Sequence, residues 1–304
     1  MRTTAIGWMF VAWVLASQTA WSQQDSSHVL SFGGRDRTYE VHLPPKYDGK
    51  AKLPVVLNLH GGGGNAKIAR VQTQMDRTSN LYGFIVVYPE GTSSIDKYYT
   101  WNAGICCAYS VVKNIDDVGF IKALIEELPN QYSVDTRRVY ATGMSNGGMM
   151  AYRLACEIPD KVAAICSVAC SMGVKGPSPS RAVPIMEIHG LKDPNAPFDG
   201  GVGANAISKV QHRPTREVVA WWCGVNRCQT RPISTYSTPT YVSEYYGPGA
   251  GRPGAPIVLY MMVDGGHTWP GGIDVTPNSG TGKHIANFNS NVVMWEFFRL
   301  FSLK

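Results

Sequence analysis

Short apolar runs alternate with stretches of helical spacing along most of this chain. Residues 29–32 and 37–43 read as two strands joined by Gly33-Gly34-Arg35-Asp36, an opening hairpin. Residues 53–59 form a brief apolar run that ends in His60-Gly61-Gly62-Gly63-Gly64, and helical spacing follows over 67–78. A second buried-strand pattern occupies 83–89, followed by a long polar loop over 90–115. Asp116-Asp117 then caps a helix reaching about residue 132. The pattern continues as a strand at 138–142, a helix to 158, and strands at 162–168 and 183–189. Beyond a glycine-rich loop lie a helix at 214–223, strands at 242–246 and 257–262, and a last helix over 287–301. Strands alternating with helices in this way predict a mostly parallel central sheet covered on both faces, an α/β architecture. No internal repeat, low-complexity tract or long linker divides the chain, so 23–304 is expected to form one domain.

Composition changes the picture mainly at the ends and at the cysteines. Met1-Arg2-Thr3 carries a positive charge, residues 5–16 are apolar or small, and Ala20-Trp21-Ser22 places small residues where a signal peptidase cuts. Residues 1–22 are therefore expected to be a cleaved signal peptide, with export to the periplasm or the medium. The apolar run falls short of the ~20 residues that span a bilayer, so no membrane anchor is expected after cleavage. The net charge of +6 is spread along the chain without a basic block, which does not point to nucleic acid. Seven cysteines in an exported chain suggest disulfides with one thiol left over. Cys223 and Cys228 are the favoured pair, Cys156 is a partner for Cys106 or Cys107, and Cys166 and Cys170 read as buried thiols.

The candidate chemistry centres on Gly143-Met144-Ser145-Asn146-Gly147. A G-x-S-x-G between a strand and a helix is the context of a nucleophilic serine on a sharp turn. Such a serine needs a base, and the base needs an acid that fixes its tautomer. Asp193, just beyond the strand at 183–189, and His267, just beyond the strand at 257–262, follow Ser145 in the required order. Asp199 is the fallback acid. The oxyanion donors are expected to be the amide of Asn146 and that of Gly62 in the glycine run. Trp101 and Trp269 are candidates for an apolar substrate wall, with loop or core packing as the alternative. His60 and His189, each before a glycine at a strand end, are expected to fix loop conformation. No metal-ligand spacing is present. A glycine pattern at 201–206 follows a loop rather than a strand, so no dinucleotide is implied and no cofactor is expected.

Taken together, the chain resembles a secreted group of the α/β-hydrolase fold that includes feruloyl esterases and single-domain poly(3-hydroxybutyrate) depolymerases. The resemblance runs over about residues 31–300. It rests on His60-Gly61-Gly62-Gly63, Thr100-Trp101-Asn102 with Cys106-Cys107, Asp116-Asp117-Val118-Gly119-Phe120, Gly143-Met144-Ser145-Asn146-Gly147-Gly148, His189-Gly190 leading to Asp193, and Gly266-His267-Thr268-Trp269-Pro270-Gly271. It implies a carboxylic-ester substrate, with Ser145 as nucleophile, Asp193 as acid and His267 as base. The tyrosines around Trp101 favour release of hydroxycinnamates from plant polysaccharide esters. Polyester hydrolysis is the alternative reading, and a secreted binding protein on an inactive hydrolase scaffold is the non-enzymatic one.

Overall fold

The computed structural model describes residues 25–95, 97–277 and 279–304; the expected signal peptide lies outside them. Among these residues one ten-stranded sheet runs through the molecule. The chain opens with β1 (Asp25–Phe32) and β2 (Arg35–His42), an antiparallel hairpin turned at Gly33 and Gly34, both at positive φ. Then come β3 (Leu53–Leu59), α1 (Ala66–Thr73), α2 (Met75–Tyr82), β4 (Ile85–Pro89), α3 (Ala108–Val112) and α4 (Asp117–Gln131). β5 (Val134–Met144), α5 (Asn146–Glu157), β6 (Ala164–Val168), β7 (Ile185–Gly190) and α6 (Thr215–Asn226) follow. The last elements are β8 (Ser234–Ser237), β9 (Tyr241–Tyr246), β10 (Ile257–Met262) and α7 (Ser290–Phe298).

The strand order is β1-β2-β4-β3-β5-β6-β7-β10-β9-β8. The six strands from β4 to β10 are mutually parallel, and antiparallel strands finish both sides. β3, β5, β7 and β10 therefore all end at one edge, and the loops that leave that edge carry the candidate site. Both faces of the central strands are buried, as a parallel sheet requires. On one face α4, α5 and α6 bury Phe120, Ile121, Leu124, Met150, Leu154 and Trp222 against the sheet. On the other, α1 and α7 bury Ala69, Met294, Trp295 and Phe298 around Val56, Val86 and Tyr140.

The cysteines correct the expected pairing. Cys106 and Cys107 are joined to each other, whereas Cys156 stays a thiol with its Sγ 3.9 Å from Met172 Sδ. Cys223 and Cys228 also remain thiols. Arg227 turns the chain in the left-handed region after α6, and Cys228 Sγ then donates to the Ala255 carbonyl at 3.0 Å. Cys166 and Cys170 are buried thiols.

Candidate active site

β5 runs directly into the turn that presents Ser145. At φ 55° and ψ −121° this residue is in a region that non-glycine residues rarely adopt, the strain expected of a nucleophile elbow. Two glycines permit the turn. A Cβ on Gly143 would stand 2.5 Å from the Leu59 carbonyl oxygen, and one on Gly147 2.2 Å from the same atom. The Ser145 N–H donates to Val168 O at 2.8 Å, which anchors the turn to the end of β6. α5 begins at the next residue, so the amide of Asn146 opens a helix and has no intrahelical acceptor.

The glycine run after β3 packs onto this elbow. A Cβ on Gly61 would lie 3.7 Å from Ser145 Cβ, and one on Gly62 3.5 Å from Asn146 Cβ. Gly63 N donates to Tyr99 O (2.9 Å) and Gly64 N to Gly61 O (3.0 Å). Among the described residues, the Gly62 amide has no acceptor and so remains available. The run keeps its shape through buried His60: Nδ1–H donates to Gly61 O at 2.8 Å, and Nε2 accepts from the Gly91 amide at 3.0 Å. Burial pushes the His60 pKa down to about 4, the neutral form that this arrangement requires.

Asp193 and His267 meet. His267 Nδ1–H donates to Asp193 Oδ2 at 2.8 Å, while Asp193 Oδ1 accepts the amides of Asn195 and Ala196, each at 2.8 Å. Burial alone would raise the Asp193 pKa; the His267 and His189 imidazoles outweigh it and hold the carboxyl well below its usual range. The arrangement commits His267 Nδ1 to the acid and leaves Nε2 for a reacting group. Among the described residues neither Nε2 nor Ser145 Oγ has a hydrogen-bond partner, and such contacts often tighten only when substrate binds. The fallback acid Asp199 is exposed, and Asp264 is engaged by Lys192 (2.7 Å) and Lys283 (3.2 Å).

The two tryptophans are not where a substrate wall would be. Trp101 is completely buried, with its indole Nε1 donating to His60 O at 3.1 Å and its ring beside the His60 ring. Trp269 is 1% exposed and donates to Asn291 Oδ1 at 3.0 Å. Each indole N–H finds its acceptor inside the fold, so both rings pack the interior. Tyr98, 67% exposed, is an aromatic at the surface beside the glycine run, and its Cδ1 would stand 3.5 Å from a Cβ on Gly63. Sequence reasoning had only the local richness in tyrosine to mark it.

A second layer fixes the Asn146 amide. The Asn146 carboxamide forms a reciprocal pair with the Trp101 backbone: Oδ1 accepts its N–H (2.7 Å) and Nδ2 donates to its carbonyl (3.0 Å). The next amide, Asn102 N–H, donates to Asp117 Oδ2 at 2.7 Å. Asp117 is itself paired with buried Arg37 at 2.7 Å, and Arg37 donates to Glu90 O. These bonds tie the loop after β4 to the elbow.

A parallel sheet with a strained serine between strand and helix, and an acid–imidazole pair on later strand ends, defines an α/β-hydrolase. The chain belongs to the esterase PHB depolymerase family, whose model matches residues 37–212. It is 33% identical over 260 residues to the putative esterase NocK of Nocardia uniformis subsp. tsuyamanensis, covering 79% of this chain and 72% of that one. Similarity to feruloyl esterase B of Piromyces equi is 27% over 86% of this chain, which spans only 45% of that longer protein. Among solved structures, an acetyl xylan esterase from Aspergillus awamori shares the fold with a TM-score of 0.57, at 17% identity over 80% of this chain and 94% of the other. The protein is a carboxylic ester hydrolase.

Proposed function

We propose that Ser145, His267 and Asp193 carry this hydrolysis as a catalytic triad, and that the substrate is a hydroxycinnamate ester of a plant polysaccharide. The 2.8 Å contact between His267 and Asp193, on the sheet edge that also presents the Ser145 elbow, is the observation that carries the reading. Ser145 Oγ attacks the ester carbonyl carbon while His267 Nε2 takes its proton. The oxyanion is received by the amides of Asn146 and Gly62. Collapse expels the alcohol, protonated by His267, and leaves an acyl-enzyme. Water, deprotonated by the same imidazole, releases the acid and restores Ser145. Asp193 remains ionised throughout and stabilises the imidazolium.

For the acyl group, the support is the exposed Tyr98 ring beside the glycine run and the similarity to a protein named as a feruloyl esterase. The family's depolymerase description favours a second reading, hydrolysis of poly(3-hydroxybutyrate). The protein is exported, with residues 1–22 removed; N-terminal sequencing of the product released from cells tests this by finding a start near residue 23. Initial rates on methyl ferulate and on 3-hydroxybutyrate oligomers separate the substrate readings. Preference for the ferulate supports the first, and preference for the oligomers replaces it with the second. If Tyr98 forms the acyl wall, Tyr98→Ala raises KM for methyl ferulate by roughly threefold to tenfold with little loss of kcat. Unchanged KM would remove Tyr98 from the binding site.

A further inference from the structure

β7 lies between two parallel neighbours in the middle of the sheet, yet it carries a carboxylate. Glu187 is fully buried, level with Ser167 on β6 and Leu259 on β10. A leucine would fill this space without the cost of taking a charge out of water. Two residues on, and on the same face of the strand, His189 is 1% exposed. Its Nδ1 is 3.4 Å from Glu187 Oε1 and 3.0 Å from Thr215 Oγ1. Its Nε2 is 2.8 Å from Ala196 O and 3.5 Å from Asp193 Oδ2, the oxygen that also receives His267. The groups thus form one line: Glu187, His189, Asp193, His267.

Glu187 shows what the line requires. Oε2 accepts the Tyr152 hydroxyl at 3.0 Å, whereas Oε1 has no hydrogen-bond partner among the described residues and lies 3.4 Å from His189 Nδ1. Burial pushes the Glu187 carboxyl up, opposed by the His189 imidazole and the Tyr152 hydroxyl, so an ionised carboxylate here depends on a protonated imidazole beside it. His189 Nε2–H already donates to Ala196 O, so a proton on Nδ1 makes it an imidazolium held between two carboxylates. Other titratable groups around the line are Tyr152 on α5, Cys166 on β6, Cys170 just beyond it, and His212 before α6. Burial raises both thiols and the Tyr152 hydroxyl and lowers His212, so all four stay neutral near pH 7. Burial alone would lower His189; the Asp193 and Glu187 carboxylates raise it to about 10.

We propose that Glu187 and His189 form a second, buried carboxylate–imidazolium pair that positions Asp193 and tunes the proton affinity of His267. The proposal rests on the reading of Asp193 and His267 as acid and base. Glu187 and His189 touch no substrate and act through Asp193. The positive charge on His189 offsets part of the Asp193 charge felt by His267. Asp193 and Glu187, one on each side of the ring, together hold that charge in place.

The pH dependence of kcat/KM tests this, because its acid limb reports the base of the free enzyme. His189→Gln and His189→Asn should each move the acid limb upward by about one pH unit, and adding Glu187→Gln to either should move it no further. If His189→Gln does not fold, His189→Asn carries the test. A limb that stays in place, or moves down, in folded variants with reduced thermal stability would make the pair purely structural and overturn the proposal. Failure of the triad reading looks different: Ser145→Ala or His267→Ala would then retain activity.

Discussion

At Asn146 the side chain and the backbone do different work. The amide is the proposed oxyanion donor, while the carboxamide holds the Trp101 backbone at 2.7 and 3.0 Å. Asn146→Ala keeps the amide but frees it to move. The expected loss is about tenfold to a hundredfold in kcat with KM nearly unchanged, measured on one soluble ester. An equal loss in KM would mean that the loop shapes substrate binding instead. Gly147 is constrained differently, since its missing Cβ makes room for the Leu59 and His60 carbonyls. Gly147→Ala should cost about 1–3 kcal/mol or more in a urea titration and most of the activity; a normal midpoint would show that the elbow relaxes cheaply. The turn at Ser145 and the meeting of Asp193 with His267 were legible in the sequence because strand ends and chain order fix where these residues lie. Trp101 and Trp269 were not, because an indole beside a catalytic motif reads alike as cleft wall or as packing, and only the acceptors at His60 O and Asn291 Oδ1 decide between them.

Among the elements, α4 has a role that its sequence hides. Its N-cap Asp116 accepts the Gly119 amide at 2.8 Å, and the next residue, Asp117, turns inward to Arg37 on β2 and to Asn102 N–H. One acidic residue starts the helix while its neighbour anchors the active-site loop. Asp117→Ala leaves the Arg37 guanidinium buried without its counter-charge, and the expected destabilisation is about 3–5 kcal/mol. A chemical denaturation curve checks this, and a change below about 1 kcal/mol would show that solvent reaches Arg37. The hairpin, the parallel strands and α4, α5 and α6 followed from periodicity. The expected helix over 67–78 is instead two, α1 and α2, because Gln74 adopts φ 54° and turns the chain between them. β8 is fully exposed, so it carried no apolar alternation to read. α3, with five residues inside a loop rich in small polar side chains, is too short for a helical period to appear.

For the molecule as a whole, the buried imidazoles link stability to pH. His60 takes a proton only near pH 4 in the fold, against 6.5 for the ordinary side chain. The unfolded chain therefore binds the extra proton between those values, and its stabilising contribution is complete above pH 6.5 and lost as pH falls towards 4. The amount is on the order of 3 kcal/mol, and buried His212, lowered in the same way, adds to it. Melting temperature should drop across this window, with a shallower slope in His60→Asn; identical slopes would place the acid sensitivity elsewhere. The same sheet that buries these groups sets the geometry of the proposed triad, because parallel strands bring three loops, distant in sequence, to one edge. The most direct test of that geometry is covalent labelling by a fluorophosphonate, followed by peptide mass mapping. Modification at Ser145 that parallels loss of esterase activity is expected, with no labelling and no turnover in folded Ser145→Ala. Labelling at another residue, or an active Ser145→Ala enzyme, would contradict it.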